Sequence, residues 1–298
     1  MDIKVGDLVG RRSYGCDIVF RVHEIKHQND KYIIILKGLN LRIIADAPEA
    51  DIIKLPPSKI NEDIKNFDDR VSKLTRKLEK RAKKVTTLAR AGLYREEPQV
   101  FRRPGKVLHI DGDKNYLDMC MKSYKELNID AVGRVLPESD QPKQVEALLL
   151  QYTPDILVLT GHDAYVKPQQ NTNEVQAQRD MNNIENYRNS KYYIESVKIA
   201  RKYEPSLDDL VIFAGACQSY FEGIMAAGAN FASSPERVLI HALDPVMVCE
   251  KVALTSIEKI VPLKEVLTGT ITGLHGIGGV QTRGKYRDGM PKSLYNTV

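Results

Sequence analysis

DILVLTGHDAY, at residues 155–165, and LVIFAGACQSYFEGIMAAG, at residues 210–228, decide the fold. Each opens as an unbroken apolar run and ends at a turn containing glycine. Short runs without polar alternation mark strands buried on both faces. Working outward, KVLHID (106–111), DAVGRVL (130–136) and RVLIHAL (237–243) have the same character. Helical segments are predicted between them, at about residues 116–127, 142–152, up to 203, and 248–259. This alternation predicts an α/β domain with a parallel sheet flanked by helices. In such sheets ligands sit beyond the carboxyl ends of the strands.

The N-terminal part reads differently. VGDLVGRRSYG (5–15), DIVFRVHEIK (17–26), YIIILKGL (32–39) and LRIIADAP (41–48) are short β runs separated by Gly, Asn and Asp. Their spacing predicts a small SH3-like or KOW-like β-barrel over residues 1–57. Pro56 and Pro57 close it, because proline cannot continue a ladder. A basic connector follows, with nine Lys and Arg residues between Arg70 and Arg90 and partly helical apolar spacing. Residues 58–104 are therefore expected to be a basic helical linker, and residues 105–298 the α/β domain.

The chain has 298 residues, 28% charged and 42% hydrophobic, with a formal charge of +5. That composition belongs to a soluble globular protein and does not demand nucleic acid. No stretch approaches the roughly 18 apolar residues of a membrane span, and MDIKVGDLVGRR does not read as a secretory signal. Cys16, Cys120, Cys217 and Cys249 are scattered, so neither a disulfide framework nor a metal site is expected, and no cofactor motif is present.

The strand ends carry the chemistry. One delivers Gly161, His162 and Asp163; the next delivers Gly215, Ala216 and Cys217. If the two strands are neighbours, a thiol and an imidazole share one edge. A nearby imidazole raises the thiolate fraction, the thiolate attacks a carbonyl, and protonated His162 gives its proton to the leaving amine. A helix starting after Cys217 would favour an anion there, and its amides, with Ala216 and Gly161, could support an oxyanion. The bland reading of a buried cysteine is a small hydrophobe; it is kept for Cys16, Cys120 and Cys249.

Other signals are weaker. LHIDGD puts Asp111 at a strand end, with Asp113 after it. The pair reads as a glycine turn, a Mg²⁺-binding or phosphoryl-accepting site, or part of a pocket for basic residues. Asp244 and Glu222 are further acids that could line such a pocket. His241 either flanks the site or is structural. The polar stretch from Val166 to Asn189 reads as a lid or as a solvated helix. Two other functions compete: a non-enzymatic nucleic-acid-binding regulator using the barrel and basic linker, and a receiver-like signalling domain using Asp111.

A strand ending in Gly-His followed by one ending in Ala-Cys resembles the caspase-like clan of cysteine peptidases. The fold that this implies is a caspase-like or flavodoxin-like sheet. KVGDLVGRRSYGCDIVFRV, LHIDGD, ILVLTGHDAY and FAGACQSYFEGIMAAGANFASSPERVLIHALDPV together resemble the sporulation-specific protease YabG family of spore-forming Firmicutes. The resemblance implies a thiol protease of the mother-cell cytoplasm or spore coat. It would process spore coat and cortex-associated proteins after Arg or Lys, with self-processing. In caspases a glycine follows the histidine and lends its amide to the oxyanion hole. Here Asp163 follows His162, so its amide takes that place, and its carboxylate either orients the ring or belongs to the turn.

Overall fold

A computed structural model describes residues 3–28, 31–65, 69, 72, 76, 101–166 and 181–290. The basic stretch between Arg70 and Arg90 therefore lies almost wholly outside the described residues, as does most of the polar stretch after Val166.

Five strands come first: β1 (Leu8–Arg11), β2 (Phe20–Gln28), β3 (Lys31–Gly38), β4 (Ile44–Pro48) and β5 (Ile52–Lys54). They form an antiparallel sheet in the order β4-β3-β2-β1-β5. Val9, Phe20, Val22, Ile34, Leu36, Ala47 and Ile52 make its core. These residues alternate with exposed ones at the start of β2 and with partly buried ones along β3, as expected of strands with one drier face. Beyond Leu55 the sheet ends and residues 57–65 are helical.

The second sheet has six strands. These are β7 (Val107–Asp111), β8 (Ala131–Val135), β9 (Ile156–Thr160), β10 (Val211–Ala214), β11 (Phe231–Ser233) and β12 (Ile277–Gly279). Their order is β12-β11-β10-β9-β7-β8, parallel except for β12. A separate pair joins β6 (Phe101–Arg103) to β13 (Arg287–Gly289).

Both faces of the second sheet are covered. Val107, Val158 and Phe213 face α1 (Lys114–Glu126), α5 (Asp244–Ala253) and α6 (Leu263–Thr268). Leu108, Leu157 and Ile212 face α2 (Gln141–Tyr152), α3 (Ser190–Tyr203) and α4 (Phe221–Ala226). Burial on both sides explains why β7 and β9 read as apolar runs without alternation.

RVLIHAL does not form the expected fifth strand. β11 is FAS, residues 231–233, and its outer edge is taken by β12. A Cβ at Gly278 would meet the Phe221 ring and one at Gly279 the Phe231 ring, so only this glycine run fits there. Left-handed turns at Ser234 (φ 60°) and Arg237 (φ 55°) carry the chain away. His241 then pairs antiparallel with Leu41 of the first sheet's β3–β4 connection. The helix expected from residue 248 starts earlier, at Asp244, with Pro245 in its first turn.

Candidate active site

The chain leaves β7 for β8 on one side and returns to β9 on the other. The carboxyl ends of β7 and β9 thus lie side by side at a topological switch point, where such sheets bind ligands. Asp111 and Thr160 are register partners there. β10 is the next strand along, so the turns carrying His162 and Cys217 follow neighbouring strands.

Cys217 sits in a tight turn. Gly215 has φ +109°, and a Cβ there would collide with Ser233; Gln218 is left-handed at φ 55°. The Ala216 amide donates to Ser219 Oγ at 2.9 Å, and its carbonyl accepts from Ser233 Oγ at 2.7 Å. The thiol is fully buried. It accepts from the Ile240 N–H at 3.2 Å and lies 3.7 Å from the Ile240 carbonyl. Burial pushes its pKa up to about 12, against the opposing pull of the Ile240 and Arg42 backbones and the Arg42 guanidinium.

His162 lies between two carboxylates. Its Nδ1 is 3.6 Å from Glu138 Oε1 and its Nε2 is 3.4 Å from Asp113 Oδ2. Its backbone N–H also donates to Glu138 Oε1 at 2.6 Å. Glu138 arrives from the turn after β8, and its carboxylate occupies a slot that a Cβ at either Gly112 or Gly161 would fill. Asp113 caps α1 through its other oxygen, which accepts from Asn115 N–H at 2.8 Å, and it pairs with Lys37. The Tyr116 ring stands 5.6 Å from the imidazole. Among the described residues no hydrogen bond joins Cys217 to His162.

Asp111 is wholly buried at the carboxyl end of β7. Its Oδ2 accepts from Arg42 Nη1 at 2.6 Å and Thr160 Oγ1 at 2.9 Å, and its Oδ1 from the Asp113 N–H at 2.9 Å. His109 stands 3.5 Å away, held by Thr160 Oγ1 at 2.8 Å and Tyr124 Oη at 3.1 Å. Burial opposes the charge on Asp111, but the Arg42 guanidinium and His109 hold its carboxyl well below the usual range. Arg42 is equally buried. Its Nη2 donates to the Ala242 carbonyl at 3.1 Å and approaches Cys120 Sγ at 3.6 Å, and its guanidinium lies 5.2 Å from the Tyr116 ring centre.

The remaining sequence candidates stand elsewhere. The Asp163 carboxylate ties loops together, accepting from Ala164 N–H (2.9 Å), Asn189 N–H (2.8 Å), Ser219 Oγ (2.9 Å) and Ser190 Oγ. Burial raises its pKa, and none of its hydrogen bonds goes to the His162 ring. Asp244 accepts from the amides of His241 (2.9 Å), Ile271 (2.7 Å) and Thr272 (3.1 Å), and so pins the 240–244 turn. Glu222 is half-exposed and pairs with Arg237 at 2.5 Å. Asp111 alone of the three candidate acids faces a buried cation beside Cys217. Sequence reasoning missed Glu138, Arg42, Tyr116 and Lys37; the only local trace was the pair of glycines that make room for Glu138.

Among the described residues no helix is long and apolar enough to cross a membrane. No solved structure matches the chain. The sporulation-specific protease YabG of Bacillus subtilis (strain 168) is 40% identical over 298 residues, spanning 98% of this chain and 99% of that protein. The family model described as YabG peptidase U57 matches residues 4–291. With both matches running through the small sheet and every strand end of the candidate site, the chain belongs to the YabG peptidase family.

Proposed function

We propose that the chain is a cysteine endopeptidase with Cys217 as nucleophile and His162 as general acid and base, cleaving after Arg or Lys. The observation that carries this reading is the juxtaposition of three strand ends: Cys217 after β10, His162 after β9, and a buried acid, Asp111, closing β7. His162 takes the Cys217 thiol proton, and the resulting thiolate attacks the carbonyl after a basic residue whose cation rests on Asp111. In this reading the amides of Cys217 and Asp163 bind the developing oxyanion. His162, held by Glu138 and Asp113, protonates the leaving amine and then takes a proton from the water that hydrolyses the thioester. The caspase-like character of the α/β unit and the barrel-like character of the small sheet belong to the same reading.

The name of the relative extends the proposal. That name, a sporulation-specific protease, supports activity during sporulation; within this proposal the chain acts in the mother cell of a sporulating bacterium or on its spore coat. The substrates would then be coat and cortex-associated proteins, together with the chain's own basic stretch. Incubating Arg42→Ala, which frees Asp111 for a substrate cation, and Arg42→Ala/Cys217→Ala with a spore-coat extract, then mapping new termini by mass spectrometry, tests it. New termini after Arg or Lys are expected from Arg42→Ala and from Arg42→Ala/Cys16→Ala, and none once Cys217→Ala or His162→Ala is added. Full cleavage by Arg42→Ala/Cys217→Ala would rule out the assigned nucleophile.

A further inference from the structure

We propose that the β3–β4 connection is a built-in pseudosubstrate, so that the chain as folded is a latent peptidase whose arginine pocket is filled by its own Arg42. The inference rests on the reading just given and adds what occupies and controls that site.

The main chain of residues 40–42 docks as an extended peptide would. Leu41 pairs antiparallel with His241, the Arg42 N–H donates to the Ile240 carbonyl at 3.3 Å, and the Ala242 N–H donates to the Asn40 carbonyl at 3.1 Å. Adding a strand to an open edge holds a peptide through its backbone and leaves specificity to side-chain pockets. The edge used is RVLIHAL, which has no place in either sheet and whose Ile240 also holds the Cys217 sulfur.

The side chain supplies the second argument. Burying a guanidinium is costly unless it is paired, and the small sheet does not need Arg42, whose core is apolar without it. Nevertheless Arg42 runs into the other unit to reach Asp111, the Ala242 carbonyl and the face of Tyr116. The Tyr116 hydroxyl lies 2.7 Å from the carbonyls of both Gly38 and Leu41, and Lys37 pairs with Asp113 beside His162. One connection thus touches the floor of the pocket, the residue next to the imidazole and the peptide that holds the thiol. The occupant sits as an inhibitor sits. After Arg42 the chain folds back, with the Ile43 N–H on the Leu41 carbonyl at 2.8 Å and the Gly38 N–H on the Ile43 carbonyl at 2.8 Å. An amine released at Ile43 would stay in this hairpin, positioned to re-form the bond rather than leave.

The test uses the full chain and iodoacetamide, which reports access to Cys217 without requiring catalysis. Alkylation of Cys217, followed by peptide mass spectrometry, is expected to be at least tenfold faster in Arg42→Ala than in wild type, with buried Cys249 unchanged as the reference. Agmatine, an arginine side chain with its amine, is expected to raise the Tm of Arg42→Ala and slow its alkylation, and to do neither to wild type. Should Arg42→Ala fold poorly because Asp111 is left unpaired, the double variant Arg42→Ala/Asp111→Asn removes that charge, and its Cys217 is expected to react as fast. Cys217 alkylation within twofold of wild type in the folded variants overturns the proposal. Reactive Cys217 and agmatine binding without hydrolysis of any arginyl peptide would keep the occupancy and refute the peptidase reading instead.

Discussion

Replacing Asp111 by Asn in an Arg42→Ala background tests the proposed role of Asp111 as the floor of a pocket for a substrate cation. In the folded chain the Asp111 carboxylate meets a guanidinium at 2.6 Å with both side chains shielded from water. Asn keeps an acceptor oxygen but loses the charge. Leaving a buried cation without its counter-charge costs about 3–5 kcal/mol. The Ala242 carbonyl and the Tyr116 face remain and offset part of that, so a loss of about 3 kcal/mol is expected. At about 1.4 kcal/mol per decade, kcat/KM for an arginyl-coumarin peptide should fall about 100-fold. The matching citrulline peptide has the same shape without charge and should change less than about threefold, so discrimination between the two collapses by about two decades. Rates over a range of peptide concentrations give both ratios. If the arginyl substrate lost less than about fivefold, or if both peptides lost equally, Asp111 would not be the floor of a cation pocket.

Two further expectations follow from the same geometry. Glu138→Ala removes the carboxylate that fixes the His162 backbone and faces its Nδ1. Because small displacements of a catalytic group cost up to about 100-fold, kcat in the Arg42→Ala background should fall about 10- to 100-fold with KM within about twofold; Glu138→Gln, which still accepts from the His162 N–H, should recover part of it. A fall in KM-dependent binding alone would contradict a positioning role. The second concerns alkali. Burial pushes Cys120, Cys217 and Cys249 each up to about 12, whereas an unfolded thiol titrates near about 8.5. The folded chain therefore keeps protons that the unfolded chain loses. This stability is whole below about pH 8.5 and drains as pH rises toward 12, by about 1.4 kcal/mol per pH unit for each thiol. Urea unfolding between about pH 8.5 and 10 should show it, and Cys249→Ala should remove about a third of the slope. An unchanged slope would mean that Cys249 is solvated in the native state.

The strands of the α/β unit were legible because burial on both faces writes itself into local sequence: VLHID and ILVLT cannot avoid looking apolar. Glycine turns after those strands marked His162 and Cys217 for the same local reason, and the adjacency of β9 and β10 followed from the habit of consecutive strands to neighbour. RVLIHAL was as apolar as a strand yet joined no sheet, because whether an edge is free depends on what has already paired with it. Here β12, drawn from 277–279, had taken the place.

The sequence by itself determined the two kinds of sheet, the strand-end turns and the residue types able to do thiol chemistry, since each depends on neighbours within a few positions. Only the tertiary structure decided which acid is buried against a cation and what lies over the thiol. Asp111, Asp244 and Glu222 are equivalent on the page as carboxylates; burial and partner separate them, one meeting a guanidinium, one pinning a turn and one pairing on the surface. Arg42 meets Asp111 across 69 positions and the Ala242 carbonyl across 200. No local pattern encodes contacts at that separation, because they exist only once two independently formed sheets have docked.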